Sequence, residues 1–390
     1  MYSPTLYSRD SNDTKNIVIA GEIHSDNLGD RVIADCMRLL IQNAFPDANV
    51  RTIDVSGRTP REPAVARKRF ARGIKRLFPP RIANLIIWEI TGKRTCQQYW
   101  RPFIDMADVL IVGGGQLLMD NALSFPLRLS ALAYMASARM PMHLAACGVS
   151  ENRPWSRYGR LLVKQVLLKS RSISVRDNSS RLALKNLFPQ NPATQVLDPA
   201  LYANQIYDVY AKSSEVIGLC VLSPIFWTRN NPELPPLTIS YWCDFWHGLI
   251  RLLQESAFEV QLFCTGVEGD HAFAREVGRA SGASIAERPF SAGGLVNLIY
   301  GYQAIVATRL HASIVATSLR IPSVGLSWDK KVSSFYCETS RADLCLAAHV
   351  ARPDAVSAAL AEAIERGIGH AELERWQCKA RQVVDTIREI

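Results

Sequence analysis

Short apolar runs alternate with helix-period segments along nearly the whole chain, and this alternation restricts the fold more than any other feature. The first run is Asn16-Ile-Val-Ile-Ala20, followed by a helical pattern with Val32, Ile33, Cys36, Leu39 and Leu40 on one face. Asn49 to Val55 reads as the next strand, then Asp108-Val-Leu-Ile-Val112, which runs into Gly113-Gly114-Gly115. Met142 to Ala146, Ser172 to Val175 and Gln195 to Leu197 are further strands. Strands that are apolar throughout and joined through helices belong to a parallel sheet covered on both faces.

The stretch from about Asp198 to Ser214 interrupts this series, and a second series begins after it. Strands are expected at Ile217 to Leu222, Glu259 to Cys264, Ala304 to Ala307 and Ser323 to Ser327. Helices are expected at Tyr241 to Gln254, Asp270 to Ala280 and His311 to Ser318, and the tail from Pro353 reads as two more. A chain of 390 residues exceeds one ordinary core. The expectation is an α/β protein of two Rossmann-like, doubly wound domains facing a cleft, residues 1–205 and 206–390.

In open parallel sheets, ligands sit beyond the carboxyl ends of the strands, so the loops there are the candidate sites. The strongest is Thr308-Arg309-Leu310-His311, between a strand and a helix. Thr308 suits an N-cap. A helix N-terminus favours an anion, Arg309 adds a planar donor fork, and His311 can move a proton near neutral pH. The next strand ends at Trp328-Asp329-Lys330-Lys331, whose lysines can converge on the same rim. Taken singly, each of these residues reads equally as a surface cation or a helix-capping histidine. On the other half, Arg176 follows a strand and either points into the cleft or pairs with a local acid, and Asp177 or Ser179 caps the next helix. Asn27, Gly29 and Asp30 form the first such loop, where Gly29 would permit a positive φ and Asp30 would cap the helix. Gly114 and Gly115 would let a ligand approach the backbone.

Other chemistries lack their signatures. There is no HExxH, no Cys/His cluster at zinc spacing, no GxSxG, no GxGxxG and no Walker spacing. Nine scattered cysteines without a CxxC read as reduced thiols. No run approaches the ~18 apolar residues of a membrane span, and Met1 to Lys15 has no apolar signal-peptide core. These features lead us to expect a cytoplasmic location.

The ordered set Asn27-Leu-Gly-Asp30, Asp108-Val-Leu-Ile-Val-Gly-Gly-Gly115, Ile173-Ser-Val-Arg-Asp177 with Ser180, Asp198-Pro-Ala200, Thr308-Arg-Leu-His311 and Trp328-Asp-Lys-Lys-Val332 resembles the polysaccharide pyruvyl transferase family. The motifs span about residues 16–335; the family usually has serine where Thr308 stands, and the segment 56–105 has no counterpart in it. The resemblance implies a GT-B-like fold and transfer of pyruvate from phosphoenolpyruvate to a sugar of an exopolysaccharide or cell-surface glycan precursor, as a ketal. It implies Arg309, Lys331 and Arg176 as anchors for the donor's phosphate and carboxylate and His311 as the acid/base. Thr308, Asn27, Gly29, Asp30, Gly114 and Gly115 would complete the binding site, with no cofactor or metal beyond the donor. A GT-B glycosyltransferase using a nucleotide sugar is the alternative, and a non-catalytic assembly factor that kept the fold is another.

The formal charge of +9 is concentrated. Residues 58–81 hold nine Arg or Lys against one acid, Glu62, a local balance of +8. Phe70, Ile74, Leu77, Phe78, Ile82 and Leu85 recur there at helical spacing, and Pro79-Pro80 should break the helix. A basic amphipathic helix in residues 58–82 suits peripheral contact with an anionic membrane at the inner face, which would be useful if, as the resemblance implies, the acceptor is lipid-linked. A solvated helix packed on the first domain is the plainer reading. No nucleic-acid motif accompanies the charge.

Overall fold

The expected strands and helices assemble into two parallel sheets of six strands each. The computed structural model describes residues 14–59, 65–136, 140–151, 154–210, 215–230 and 238–388, and for 65–70 and 229–230 the backbone alone. The first sheet is built from β1 (Asn16–Gly21), β2 (Asn49–Asp54), β3 (Val109–Leu118), β4 (Met142–Val149), β5 (Ser170–Val175) and β6 (Thr194–Gln195), in the order β2-β1-β3-β4-β5-β6. Its helices are α1 (Leu28–Ala44), α2 (Val65–Leu77), α3 (Pro80–Ile87), α4 (Lys93–Ile104), α5 (Ser124–Met135), α6 (Arg157–Lys169) and α7 (Asn178–Leu187).

The second sheet contains β7 (Val216–Cys220), β8 (Glu259–Phe263), β9 (Ser284–Ile285), β10 (Ala304–Ala307), β11 (Ser323–Ser327) and β12 (Cys345–Ala347), in the order β12-β11-β10-β7-β8-β9. It carries α8 (Pro224–Asn230), α9 (Ile239–Glu255), α10 (Glu268–Ser281), α11 (Ala292–Tyr300), α12 (Leu310–Ser318), α13 (Lys330–Glu338), α14 (Pro353–Arg366) and α15 (His370–Asp385). Every strand pairing is parallel.

Both strand orders reverse once, between β1 and β3 in the first sheet and between β7 and β10 in the second. Successive connections leave on opposite faces at such a reversal, which opens a crevice at the carboxyl ends. The two crevices face each other. The halves are tied across them by Leu28 N–H to Thr265 O at 2.9 Å, Thr265 Oγ1 to Asn27 Oδ1 at 3.0 Å and Asn178 N–H to Glu338 Oε1 at 2.5 Å. One apolar core runs from α1 through residues 199–205 into the second sheet, so the halves share buried surface as well as polar ties. The last helix does not stay with the second half. Lys379 O accepts from Leu197 N–H at 3.4 Å and Thr386 Oγ1 meets Ser174 Oγ at 3.4 Å, on the first.

The basic segment divides at Pro79-Pro80 as its sequence requires: α2 stops at Leu77, and Pro80 opens α3 at a position where its missing N–H costs nothing. Lys75 and Arg76 are exposed, and so are the apolar side chains of Leu77, Phe78 and Ile82. Phe70, Arg67, Lys68 and Arg69 lie outside the residues whose side chains are described. Among the described residues no helix is long and apolar enough to cross a membrane.

Candidate functional site

The two facing crevices enclose a cavity of about 180 Å³. The first half contributes Glu22, Asn27, Asp30, Gln116 and Arg176 to its lining, and the second contributes Arg309, His311, Trp328 and Lys331. Three cations from three loops therefore meet in one small space.

Each cation is held by a carboxylate behind it. Arg176 is 3% exposed and its Nη1 lies 3.0 Å from Asp198 Oδ2, with Asp177 at 3.6 Å. Asp177 also caps α7 by accepting from Ser180 N–H at 2.6 Å. Both readings of Arg176 are thus realised, since it pairs with acids and still lines the cleft. Arg309 Nη2 lies 2.6 Å from the fully buried Asp270, and its guanidinium stacks 4.6 Å from the Phe226 ring. Burial pushes the carboxyls of Asp198 and Asp270 upward against the pull of their arginines. A buried pair of this kind fixes orientation more than it adds stability. Lys331 Nζ reaches across the cleft to Gln116 Oε1 at 2.8 Å, with Asp329 at 3.5 Å. Lys330 points to solvent, so Lys331 is the lysine of the pair that enters the site.

His311 sits in the first turn of α12, where the N–H groups of Leu310 and His311 have no partner within the helix. Its Nε2 is 3.2 Å from Arg176 Nη1. A guanidinium only donates, so Nε2 must accept, and the ring proton sits on Nδ1. That nitrogen faces Asp30 Oδ1 at 3.9 Å. Burial holds His311 well below its ordinary value, and Arg176, Lys331 and Arg309 push it further down. His311 is therefore held toward its neutral form. Asp30 shifts the opposite way, up to about 6, through burial and the nearby Glu22 carboxylate. Asp30 can therefore take up a proton closer to neutral pH than an ordinary aspartate could.

Three expected roles are corrected. Thr308 does not cap α12 and does not line the cavity. Its buried hydroxyl donates back to Cys220 O on β7 at 2.7 Å, and Arg309 occupies the N-cap position. Its carbonyl accepts from Trp328 Nε1 at 2.6 Å, which fixes the indole beside the site. Gly29 does not adopt a positive φ. It lies in α1, where a Cβ would fall 2.3 Å from His311 Cβ. Its absent side chain is the space that His311 fills. Asp30 also sits inside the helix rather than capping it, with Asn27 in the cap position.

Gly114 and Gly115 do have positive φ, 67° and 129°, but they lie behind the lining, with Gly115 packed toward Asp30. Asn27 lines the cavity and donates to Asp30 Oδ2 at 3.3 Å. Glu22 and Asp270 are functional residues that no sequence pattern marks. Neither stands in a motif, and Asp270 reaches Arg309 only because β8 and β10 flank β7.

A family model described as polysaccharide pyruvyl transferase matches residues 27–330, which takes in the whole cavity lining except Glu22 and Lys331. The chain belongs to the polysaccharide pyruvyl transferase family. It is accordingly a transferase. Among solved structures it is similar to UGT71G1 of Medicago truncatula complexed with UDP-glucose, at 9% identity and TM-score 0.53, with 98% of this chain and 99% of that one covered. It is also similar to Staphylococcus aureus MnaA with UDP, at 11% identity and TM-score 0.52, covering 96% and 95%. A putative UDP-N-acetylglucosamine 2-epimerase from Listeria monocytogenes gives 11% and 0.51, covering 97% and 96%. At such identities the likeness concerns the fold, which is GT-B-like, as the family resemblance implied. No curated protein sequence matches the chain.

Proposed function

We propose that this transferase moves a pyruvyl group from phosphoenolpyruvate onto two hydroxyls of a sugar in an exopolysaccharide or cell-surface glycan precursor, forming a ketal. The observation that carries the reading is the convergence of Arg176, Arg309 and Lys331 with a helix N-terminus on a cavity that also holds a histidine kept toward its neutral form beside a carboxyl of raised proton affinity. A donor with a phosphate and a carboxylate needs such paired cationic anchors.

The balance of the reaction assigns the protons. C3 of the enol gains one, which makes C2 electrophilic. The first sugar hydroxyl adds to C2, the C2–O bond to phosphate breaks, and the second hydroxyl closes the ketal. Of the two hydroxyl protons, one balances that gained by C3 and the other leaves with phosphate. Asp30 and His311 are the groups placed to carry them. Binding of a multiply charged anion offsets the three cations that hold His311 neutral, so donor binding prepares the imidazole to take and return a proton. His311→Ala should abolish phosphate release while phosphoenolpyruvate still raises the Tm. Near wild-type turnover in that variant would refute the assignment. A Tm response to nucleotide sugars and none to phosphoenolpyruvate would favour a glycosyltransferase instead.

The acceptor in this reading is lipid-linked, and the protein meets it at the inner face of the cell membrane. The basic, apolar-tipped end of α2 supports this, since exposed Lys75 and Arg76 lie beside exposed Leu77 and Phe78. Cosedimentation with anionic but not neutral liposomes, lost on neutralising Arg67, Lys68, Arg69 and Arg72, is the expected result. Wild-type protein that ignores anionic liposomes would end the idea.

A further inference from the structure

A second cavity, of about 830 Å³, opens directly off the first and shares Gln116, Met119, Trp328 and Lys331 with it. Its far wall is the basic insertion, through Ala71 and Lys75 of α2 and Pro80, Asn84 and Ile87 of α3. The insertion is pinned there rather than appended. Asn84 Nδ2 donates to Ala122 O at 2.9 Å, and Arg81 Nη2 donates to Pro154 O at 2.7 Å. The loop it grips is strained: Asn121, Ala122 and Leu123 have φ of 39°, 53° and 72° in succession. Runs of non-glycine residues in this region persist where the surroundings impose them, and they cluster at ligand sites.

The lining has the character of a carbohydrate site joined to an anion site. Trp328 and Phe226 supply aromatic surface, and Gln116, Asn84 and Asn121 supply amide groups. The two carboxylates present are already engaged. Asp120 accepts from Leu123 N–H and Ser156 N–H, and Asp329 caps α13. Two of the cations have no such tie: among the described residues neither Lys75 nor Arg128 has a carboxylate partner. Arg128 Nη1 donates to Ser124 O at 2.9 Å and to the Ser124 hydroxyl, while its Nε is buried without a hydrogen bond. A buried guanidinium N–H left unpaired is costly unless a ligand meets it.

We propose that this cavity is the acceptor site and that it recognises a glycosyl diphosphate, with the sugar toward Gln116 and Lys331 and the diphosphate on Lys75 and Arg128. The proposal rests on the pyruvyl-transfer reading, because it takes the smaller cavity as the donor site. A diphosphate explains why Lys75 of the insertion and Arg128 of α5, rather than amides alone, line the cavity that adjoins the donor site. The same chemistry is offered by a polyprenyl diphosphate carrier and by a nucleoside diphosphate sugar.

Calorimetric titration of the full chain with inorganic pyrophosphate, farnesyl diphosphate and UDP-galactose, each with and without phosphoenolpyruvate, tests this. Binding of at least one diphosphate should persist with phosphoenolpyruvate present. It should weaken about tenfold or more in Lys75→Glu and in Arg128→Gln, the scale of one lost charge-assisted bond. Lys75→Arg should retain it, and phosphoenolpyruvate affinity should stay within about twofold throughout. Preference for farnesyl diphosphate assigns a lipid carrier, and preference for UDP-galactose assigns a nucleotide one; either supports the site. Diphosphate binding that competes with phosphoenolpyruvate and ignores both substitutions overturns it, as does failure of all three probes to bind. If phosphoenolpyruvate alone fails to bind while a diphosphate still depends on Lys75, the acceptor site stands and the donor reading falls.

Discussion

Replacing Gly29 with alanine tests the central contact of the site through a single methyl group. In an ordinary helix this change would stabilise by roughly 0.5–1 kcal/mol, because glycine loses more backbone freedom on folding. At position 29 the new Cβ would lie 2.3 Å from His311 Cβ and 2.4 Å from His311 Nδ1, where ordinary contact begins at 3.4 Å. A rotamer change can move Nδ1 but not Cβ, so α1 and α12 must separate by about 1 Å, the difference between the 2.3 Å approach to Cβ and the 3.4 Å contact distance. Overpacking of this kind costs about 1–3 kcal/mol. Set against the gain in helix propensity, the net loss of stability is only about 0–2 kcal/mol, and Tm alone discriminates poorly. Activity discriminates well. Separation strains the bonds from Thr265 to Leu28 and Asn27 and moves His311 relative to Arg176, and displacement by about 1 Å at a reacting group costs on the order of 10²-fold. The assay is kcat/KM by phosphate release, beside thermal unfolding. Gly73→Ala in α2, where a Cβ meets nothing within 4 Å, is the matched control and should be neutral or slightly stabilising. Gly29→Ala with kcat/KM within about threefold of wild type would refute the reasoning.

Three further outcomes follow from the buried charges. Asp270→Ala strands Arg309 without its carboxylate, and we expect a loss of about 3–5 kcal/mol in urea unfolding; an unchanged midpoint would show that the arginine is solvated by another route. Donor binding near neutral pH should take up protons, because an anion beside Asp30 and His311 raises the proton affinity of both; titration in buffers of different ionisation enthalpy should show less uptake in Asp30→Asn, and equal uptake would exclude Asp30 as the carrier. Glu338, which joins the halves at Asn178, is pushed up to about 7 by burial. The folded state therefore binds its proton more tightly than the unfolded chain does. Its contribution is complete below the ordinary carboxylate range and is lost as pH rises through about 7. Glu338→Gln should flatten that part of the stability-against-pH curve relative to wild type, and two superimposable curves would contradict the shift.

The parallel α/β architecture and the loops that carry the chemistry are legible in the sequence because they depend on short-range facts. Apolar runs such as Asn16 to Ala20 must be buried on both faces, and a residue such as Arg309 that follows a strand must emerge at its carboxyl end. The proline pair at 79–80 ends α2 for an equally local reason. The sequence could not show which groups face each other. Arg309 and Asp270 stand far apart in the chain, as do Arg176 and His311, and each pair meets only when strand order and lobe closure are set. That closure decides the chemistry as well. It makes His311 Nε2 an acceptor, holds the ring toward its neutral form and raises the proton affinity of Asp30, against the ordinary values of both groups. Thr308 and Gly29 depart from expectation for the same reason: a hydroxyl and a missing side chain look like local capping and turn chemistry until a neighbouring strand and a facing helix are in place. Local sequence fixes which residues reach the cleft, whereas their protonation and partners depend on burial and on distances that only the assembled fold defines.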